Sequence, residues 1–266
     1  MQRAKPLRQL RSQKLLTSQL GNIMIMVAFT ENDPTLERLR EILCDIERNQ
    51  KPRNYLGASS VGQPCERKTW YSYHRPELRK PMNDKGHLAV NCGHRAEDTM
   101  AAYLRLIEGI ELVTHGDDDK QIGFTDLEGK FAGHIDGMIR GLHQAPKTVH
   151  LWEHKDTNHK KFAEFQNLKA KHGEKATLQH WDIVYYGQAQ IYMHYMDVTR
   201  HYMTVSLSGV RDFDSCRTEY DKGYAKMLID RADRIIRAKE PLMRISEKTD
   251  FYMCRWCDYA EECHAT

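Results

Sequence analysis

Gly133-His134-Ile135-Asp136 and, further along, Glu153-His154-Lys155 are the residues on which the reading of this chain turns. Both stretches lie in short apolar-rich runs bounded by Gly, Asp and Pro, so 130–139 and 148–153 read as neighbouring β-strands. Residues two apart in a strand share a face, so Glu153 and Lys155 project together while Trp152 and His154 point away; the adjacent strand brings Asp136 beside them. Two carboxylates and an ammonium in one place make little sense as packing, because each charge loses hydration and the like charges repel. A hard divalent cation such as Mg²⁺ resolves the conflict, with Lys155 left to orient a water or to stabilise charge developing on a phosphoryl group. Alone, Glu-x-Lys is a common surface pair worth little. Its companions along the chain decide its weight.

Working outward, 111–114 and 121–125 read as two more strands of a mainly antiparallel meander. Upstream, 93–107 places Met100, Tyr103, Leu104 and Ile107 on one helical face, with Glu97 in its first turn. Residues 34–46 form another helix from Leu36, Leu39, Ile42, Leu43 and Ile46. Ser59 or Ser60 caps a helix that carries Cys65, Trp70 and Tyr71 and stops at Arg75-Pro76, and 77–86 is a polar loop. Downstream, the Lys- and His-rich segment 156–177 begins as a mobile loop, 178–196 is helical, 202–207 returns as a strand, and 216–239 is a long helix stopped by Pro241. The expected class is α/β: a mixed central sheet flanked by helices. A basic arm and first helix occupy 1–50, and one domain occupies 51–266, its cysteine-bearing tail at 242–266.

At 266 residues, 40% apolar and 29% charged, the composition is that of an ordinary globular protein and excludes both a membrane protein and a disordered chain. The formal charge of +3 is too small to argue for nucleic acid by itself, although Arg3, Lys5, Arg8, Arg11 and Lys14 precede any acid. The apolar run 23–29 is too short to span a bilayer and has no clear cleavage site after it, which gives the expectation of a cytoplasmic protein with no membrane partner. Met24 and Met26 leave a later natural start open. Seven cysteines, an odd number, with no export signal speak against a disulfide framework and for ligation.

Gly133 to Asp136 followed by Glu153-x-Lys155 resembles the PD-(D/E)XK nuclease signature. Gly93-His94-Arg95-Ala96-Glu97 is similar to the upstream helix motif of the RecB-like branch, and Gln188-x-x-x-Tyr192 is similar to its downstream helix motif. Either helix motif alone is more often plain packing; in order, with the strand pair, they point one way. The resemblance implies a restriction-endonuclease-like core with Glu97, Asp136, Glu153, Lys155, Gln188 and Tyr192 at the catalytic centre. Glu97, Asp136 and Glu153 would hold Mg²⁺ or Mn²⁺, with His94 as a reserve ligand. There is one departure: RecB and the CRISPR-associated relatives usually carry His where this chain has Glu97, whereas phage lambda exonuclease relatives carry Glu.

Cys254-x-x-Cys257 with Cys263 forms a compact three-thiolate group. The resemblance to the CRISPR-associated iron-sulphur nucleases and the AddB nuclease domain supplies Cys65 as the fourth ligand, because there one Cys precedes the core and three follow it. That layout implies a 4Fe-4S cluster clamping the terminal segments together. Structural Zn²⁺ suits four thiolates equally well, and unliganded thiols remain the plain alternative. Cys44, Cys92 and Cys216 read as buried free cysteines. The implied activity is phosphodiester hydrolysis leaving a 5′ phosphate, by an exonuclease acting on single-stranded or end-bearing DNA in recombination, repair or phage DNA processing, alongside a helicase or single-strand annealing protein. Arg67, Lys68, Lys160 and Lys161 are candidate phosphate contacts. The rivals are a non-catalytic DNA-binding or scaffold subunit that keeps the fold, and a zinc-bound nucleic-acid module without hydrolysis.

Overall fold

The computed structural model describes residues 33–265, so the basic arm and the apolar run 23–29 lie outside the described residues. The described residues are divided between two units, with the boundary between Leu39 and Arg40. Helix α1 (Pro34–Arg48) leaves Leu36, Leu39, Ile42 and Ile46 exposed. Next come β1 (Leu56–Gly57), α2 (Ala58–Val61) and α3 (Glu66–His74). The single helix expected over the Cys65 region is therefore two. Gly57 stands at the N-cap of α2 where Ser59 or Ser60 was expected, and Cys65 at that of α3.

Helix α4 (Asp84–Leu104) starts well before Gly93, because Asn83 caps it by accepting from the Gly86 amide at 2.9 Å; the end of the expected polar loop is helical. Strands β2 (Glu111–Val113), β3 (Gly123–Asp126), β4 (Phe131–His134), β5 (Gly137–Arg140) and β6 (His150–Thr157) follow. The expected strand 130–139 is broken in two, and its halves enter different sheets. At the break, the fully buried Ile135 donates its amide to Ile122 O at 2.9 Å and accepts from Gln121 Nε2 at 3.0 Å. The chain is held there without a strand neighbour, and Asp136 sits in the bend.

A further correction concerns 156–177, which is not a loop at its start. Helix α5 (His159–His172) is capped by Asn158 and buries Phe162 and Phe165 against α6 (Thr177–Trp181) and the sheet; its lysine-rich outer face concealed two buried aromatics. Asp182 then splits the expected helix 178–196 by capping α7 (Ile183–Tyr195). Strands β7 (Arg200–Leu207) and β8 (Asp212–Glu219) follow. Cys216 thus lies in a strand, and the long helix α8 (Lys222–Arg237) begins only after its cap, Asp221. Short helices α9 (Tyr252–Arg255) and α10 (Ala260–Ala265) carry the tail.

Two mixed sheets result, β1-β4-β3 and β2-β5-β6-β7-β8. In the larger, β6 and β7 run parallel, Glu153 opposite Met203, while the other neighbours are antiparallel. Helix α4 covers one side, packing Met100, Ala101 and Leu104 on Leu112, Ile139 and Trp152. The other side takes α5, α6 and α7, with Phe165, Leu178 and Ala189 near Met203, Val205 and Cys216. Helix α8 completes the core through Leu228, Ala232 and Ile235, beside Trp70 and Tyr71 of α3. Among the described residues no helix is long and apolar enough to cross a membrane.

Candidate active site

β6 delivers Glu153 and Lys155 on its α7-facing side, as the period of two requires. Beyond Trp152, which faces Gly137, β6 has no β5 partner, because β5 has given way to the bend at Asp136. The Asp136 carboxylate fills that gap: Oδ2 accepts from the His154 amide at 2.8 Å and lies 3.8 Å from Lys155 Nζ. Lys155 Nζ donates to Glu153 Oε2 at 3.1 Å, and Gln188 Nε2 from α7 donates to the same oxygen at 2.9 Å. Glu153 is 1% exposed, and its Oε1 has no partner. A buried carboxylate oxygen without a donor costs its full desolvation.

The electrostatics agree. Burial, then the Asp136 charge, pushes Glu153 up to about 8 against the opposing pull of Lys155. Burial and Asp136 likewise push Glu97 up to about 7. Burial pulls the Lys155 ammonium down, yet Glu153, Asp136 and the Tyr185 ring outweigh it and the net shift is upward. Burial and the field of Glu153 raise the Tyr192 phenol, which stays protonated. Three acids share one place with a single ammonium, which does not offset the burial and repulsion that raise Glu97 and Glu153.

Glu97, Asp136, Lys155, Gln188 and Tyr192 line one cavity of about 710 Å³, with His94 at its wall. Glu153 does not line it but is bonded to two residues that do, Lys155 and Gln188. All six residues expected at the centre are thus brought together, from α4, the β4–β5 bend, β6 and α7. Gly133 makes room for Tyr192: a Cβ there would stand 2.5 Å from the Tyr192 ring. Sequence reading missed Tyr185, whose ring centroid lies 5.4 Å from Lys155 Nζ, although its place one turn before Gln188 on the same helix face was a signal. It also missed Arg53, Arg105, His115 and His134, which line the same cavity. Arg105 is held there by Leu112 O and Thr114 Oγ1 at 3.3 and 2.9 Å. No local pattern marks these residues.

The expected phosphate contacts fare differently, since none of Arg67, Lys68, Lys160 and Lys161 lines the cavity. Arg67 donates to Leu242 O and Cys263 O at 2.7 and 3.2 Å, joining α3 to the tail. Lys161 pairs with Glu164 on the surface of α5. Cys65, Cys254, Cys257 and Cys263 share one neighbourhood: burial raises the Cys254 thiol first, and the other three raise it further. All seven cysteines are free; of the three expected to be buried only Cys216 is, Cys44 being half-buried and Cys92 exposed. Among the described residues no group of three or more His, Cys, Asp or Glu is arranged so that it could hold a metal ion as it stands. The two Arg67 bonds already join the segments that a cluster clamp was expected to tie, while Trp70 Nε1 to Ala238 O at 2.8 Å and Arg231 to Gln63 O join α3 and the loop before it to α8.

No family model matches this sequence, and no curated protein matches it. Similar solved structures include the crystal structure of SSO0001, 13% identical with a TM-score of 0.49 over 86% of this chain and 96% of that one. An alkaline exonuclease, LHK-Exo from Laribacter hongkongensis, is 12% identical with a TM-score of 0.47, covering 74% of this chain and 90% of its own. LHK-Exo in complex with dAMP has 12% identity, a TM-score of 0.44, and coverage of 75% and 90%. At this level the likeness is a loose one of backbone course.

Proposed function

We propose that this chain is a metal-dependent deoxyribonuclease that hydrolyses phosphodiester bonds at DNA ends. The observation that carries the reading is the convergence of Glu97, Asp136 and Lys155 on one cavity, with Glu153 bonded to Lys155 and its other carboxylate oxygen buried and left unpartnered. The donor set fits a hard divalent cation: three carboxylates, two of them raised to about 7 and 8 by burial and mutual repulsion. Asp136, Glu153 and Glu97 would hold Mg²⁺ or Mn²⁺. When bound, such an ion polarises a phosphoryl oxygen and acidifies water.

The remaining work falls to the chain's own groups. Lys155, kept charged by its neighbours, neutralises the charge that develops on the phosphoryl group. Gln188 fixes the Glu153 carboxylate through Oε2, leaving Oε1 free to ligate. Tyr192, a protonated phenol at the cavity wall, is a donor for a phosphate oxygen. Arg53 and Arg105 offer guanidinium donors on the same wall, suited to bidentate phosphate contacts.

Purified protein incubated with end-labelled DNA and Mn²⁺, beside Asp136→Ala, tests the reading. Metal-dependent product only in the native sample supports it; equal product in both points to a contaminant, and none in either points to the scaffold reading. A circular single-stranded substrate shows whether a free end is needed. A helicase or annealing partner belongs to the same reading, as the source of such ends.

A 4Fe-4S cluster on Cys65, Cys254, Cys257 and Cys263 is the second part of the proposal, supported by the shared neighbourhood of the four thiols. Anaerobically purified protein is then brown, with iron and labile sulphide that Cys254→Ser loses together with several degrees of melting temperature. Colourless protein with stoichiometric zinc would replace the cluster by a structural Zn²⁺, and metal-free protein would leave plain thiols.

A further inference from the structure

The back of β6, facing away from Glu153 and Lys155, carries a continuous polar chain on which nothing above depends. Trp152 Nε1 donates to Thr204 Oγ1 at 3.1 Å; Thr204 Oγ1 lies 3.0 Å from His154 Nδ1; His154 Nε2 lies 3.1 Å from Ser206 Oγ; and Ser206 Oγ donates to Asp156 Oδ1 at 2.6 Å. The proton directions follow from the chemistry of the two ends. The indole can only donate, so Thr204 Oγ1 accepts from it and keeps its own proton to give. The Asp156 carboxylate accepts, so Ser206 gives its proton there and must accept from His154. Nε2 of His154 therefore bears the hydrogen, and Nδ1 is the bare acceptor that Thr204 serves. The competing acceptor for the threonine proton, Glu153 O, is farther away at 3.5 Å.

The chain crosses between strands at matched positions, His154 opposite Thr204 and Asp156 opposite Ser206. It thereby fastens β6 to β7 along the stretch where β5 no longer supports the other edge. The amide of the residue so fastened, His154, is the donor to Asp136 Oδ2.

We propose that His154 is a positioning residue: its ring, locked between Thr204 and Ser206 as the Nε2-protonated tautomer, fixes the peptide whose N–H aims the Asp136 carboxylate at the site. The proposal deepens the nuclease reading and rests on it for the role of Asp136. Outer partners of metal ligands of this kind typically govern affinity and rate by about 10- to 100-fold.

The test uses full-length protein in three measurements. Long-range proton–nitrogen spectra of the metal-free protein should show His154 neutral with hydrogen on Nε2; hydrogen on Nδ1, or on both nitrogens, overturns the proposal. Mn²⁺ titration should show about 10- to 100-fold weaker binding in Thr204→Val and Ser206→Ala, which touch no carboxylate of the site, and in His154→Phe, with His154→Gln partly recovered through its amide donor. Cleavage should fall in kcat while KM for DNA stays within about twofold. Native Mn²⁺ affinity in all the variants that fold overturns the proposal whether or not the native protein cleaves DNA. Mn²⁺ binding without cleavage in the native protein sinks the nuclease reading and leaves the positioning role to be judged on affinity alone. Should His154→Phe fail to fold, the Thr204 and Ser206 variants decide.

Discussion

The two faces of β6 are built on opposite principles. On the back, Trp152, His154, Thr204, Ser206 and Asp156 hand protons along in one direction, and each finds its partner within the chain. Burial, then the nearby Lys155 charge, lowers His154 to about 4, so its ring stays neutral. On the front, Glu153 and Asp136 crowd the Lys155 ammonium, Glu97 reaches them from α4, and one carboxylate oxygen goes without a donor. One side of the strand thus pairs its polar groups along a chain while the other leaves a carboxylate oxygen unpaired, and under the proposed reading an outside cation would belong to that second side. The difference teaches where to look along this strand: at the buried carboxylate, bonded to residues of the cavity wall, that folding by itself does not satisfy.

The strongest way to break the comparison is to remove a front-face group. Asp136→Ala and Lys155→Met should each lower cleavage roughly a thousandfold, while far-UV circular dichroism stays native. Residual activity near the native level in either would show that the front face carries no chemistry.

A subtler test uses pH without metal. Glu97 and Glu153 are raised above their ordinary range, so their protonated forms suit the fold and ionisation opposes it. Each contribution is fully present below about 4.5, the unfolded value, and is lost as pH rises through about 7 to 8. Chelator-treated protein should therefore melt at progressively lower temperature between pH 5 and pH 8 (about the interval between these values), less steeply in Glu153→Gln, and Mg²⁺ should recover the loss at the alkaline end. A melting temperature that climbs over the same interval would mean that the acids are already balanced. The smallest effect belongs to the seam between α3 and the tail, where Arg67 bonds two carbonyls. Arg67→Ala should cost about 2 kcal/mol in denaturant unfolding and leave Mn²⁺ affinity untouched.

The site was more legible in sequence than the scaffold around it. Glu153 and Lys155 declare a shared face by their spacing, and Gln188 with Tyr192 does the same on α7, because both periods are local properties of the backbone. The break at Ile135 and Asp136 was not legible, since it depends on Gln121 and Ile122 reaching across from before β3. Helix α5 was hidden by its composition: Asn158 caps it and Phe162 and Phe165 anchor it, but lysines dominate what a periodicity count sees. Cys216 reads as helical in sequence because β8 runs straight into α8, with only the Asp221 cap to mark the boundary. Arg53, Arg105 and His115 reach the cavity from separate elements, which no one-dimensional pattern records.

Parallel pairing of β6 with β7 has a kinetic consequence. The strand bearing Glu153 cannot meet its neighbour until the whole stretch of α5, α6 and α7 between them has been threaded and docked, and distant pairings of this kind form late. Gln188 travels on that same crossover. During synthesis, then, Asp136 and Glu153 come together early through the neighbouring strands β5 and β6, and the Gln188 amide that fixes the Glu153 carboxylate arrives only once the crossover has docked.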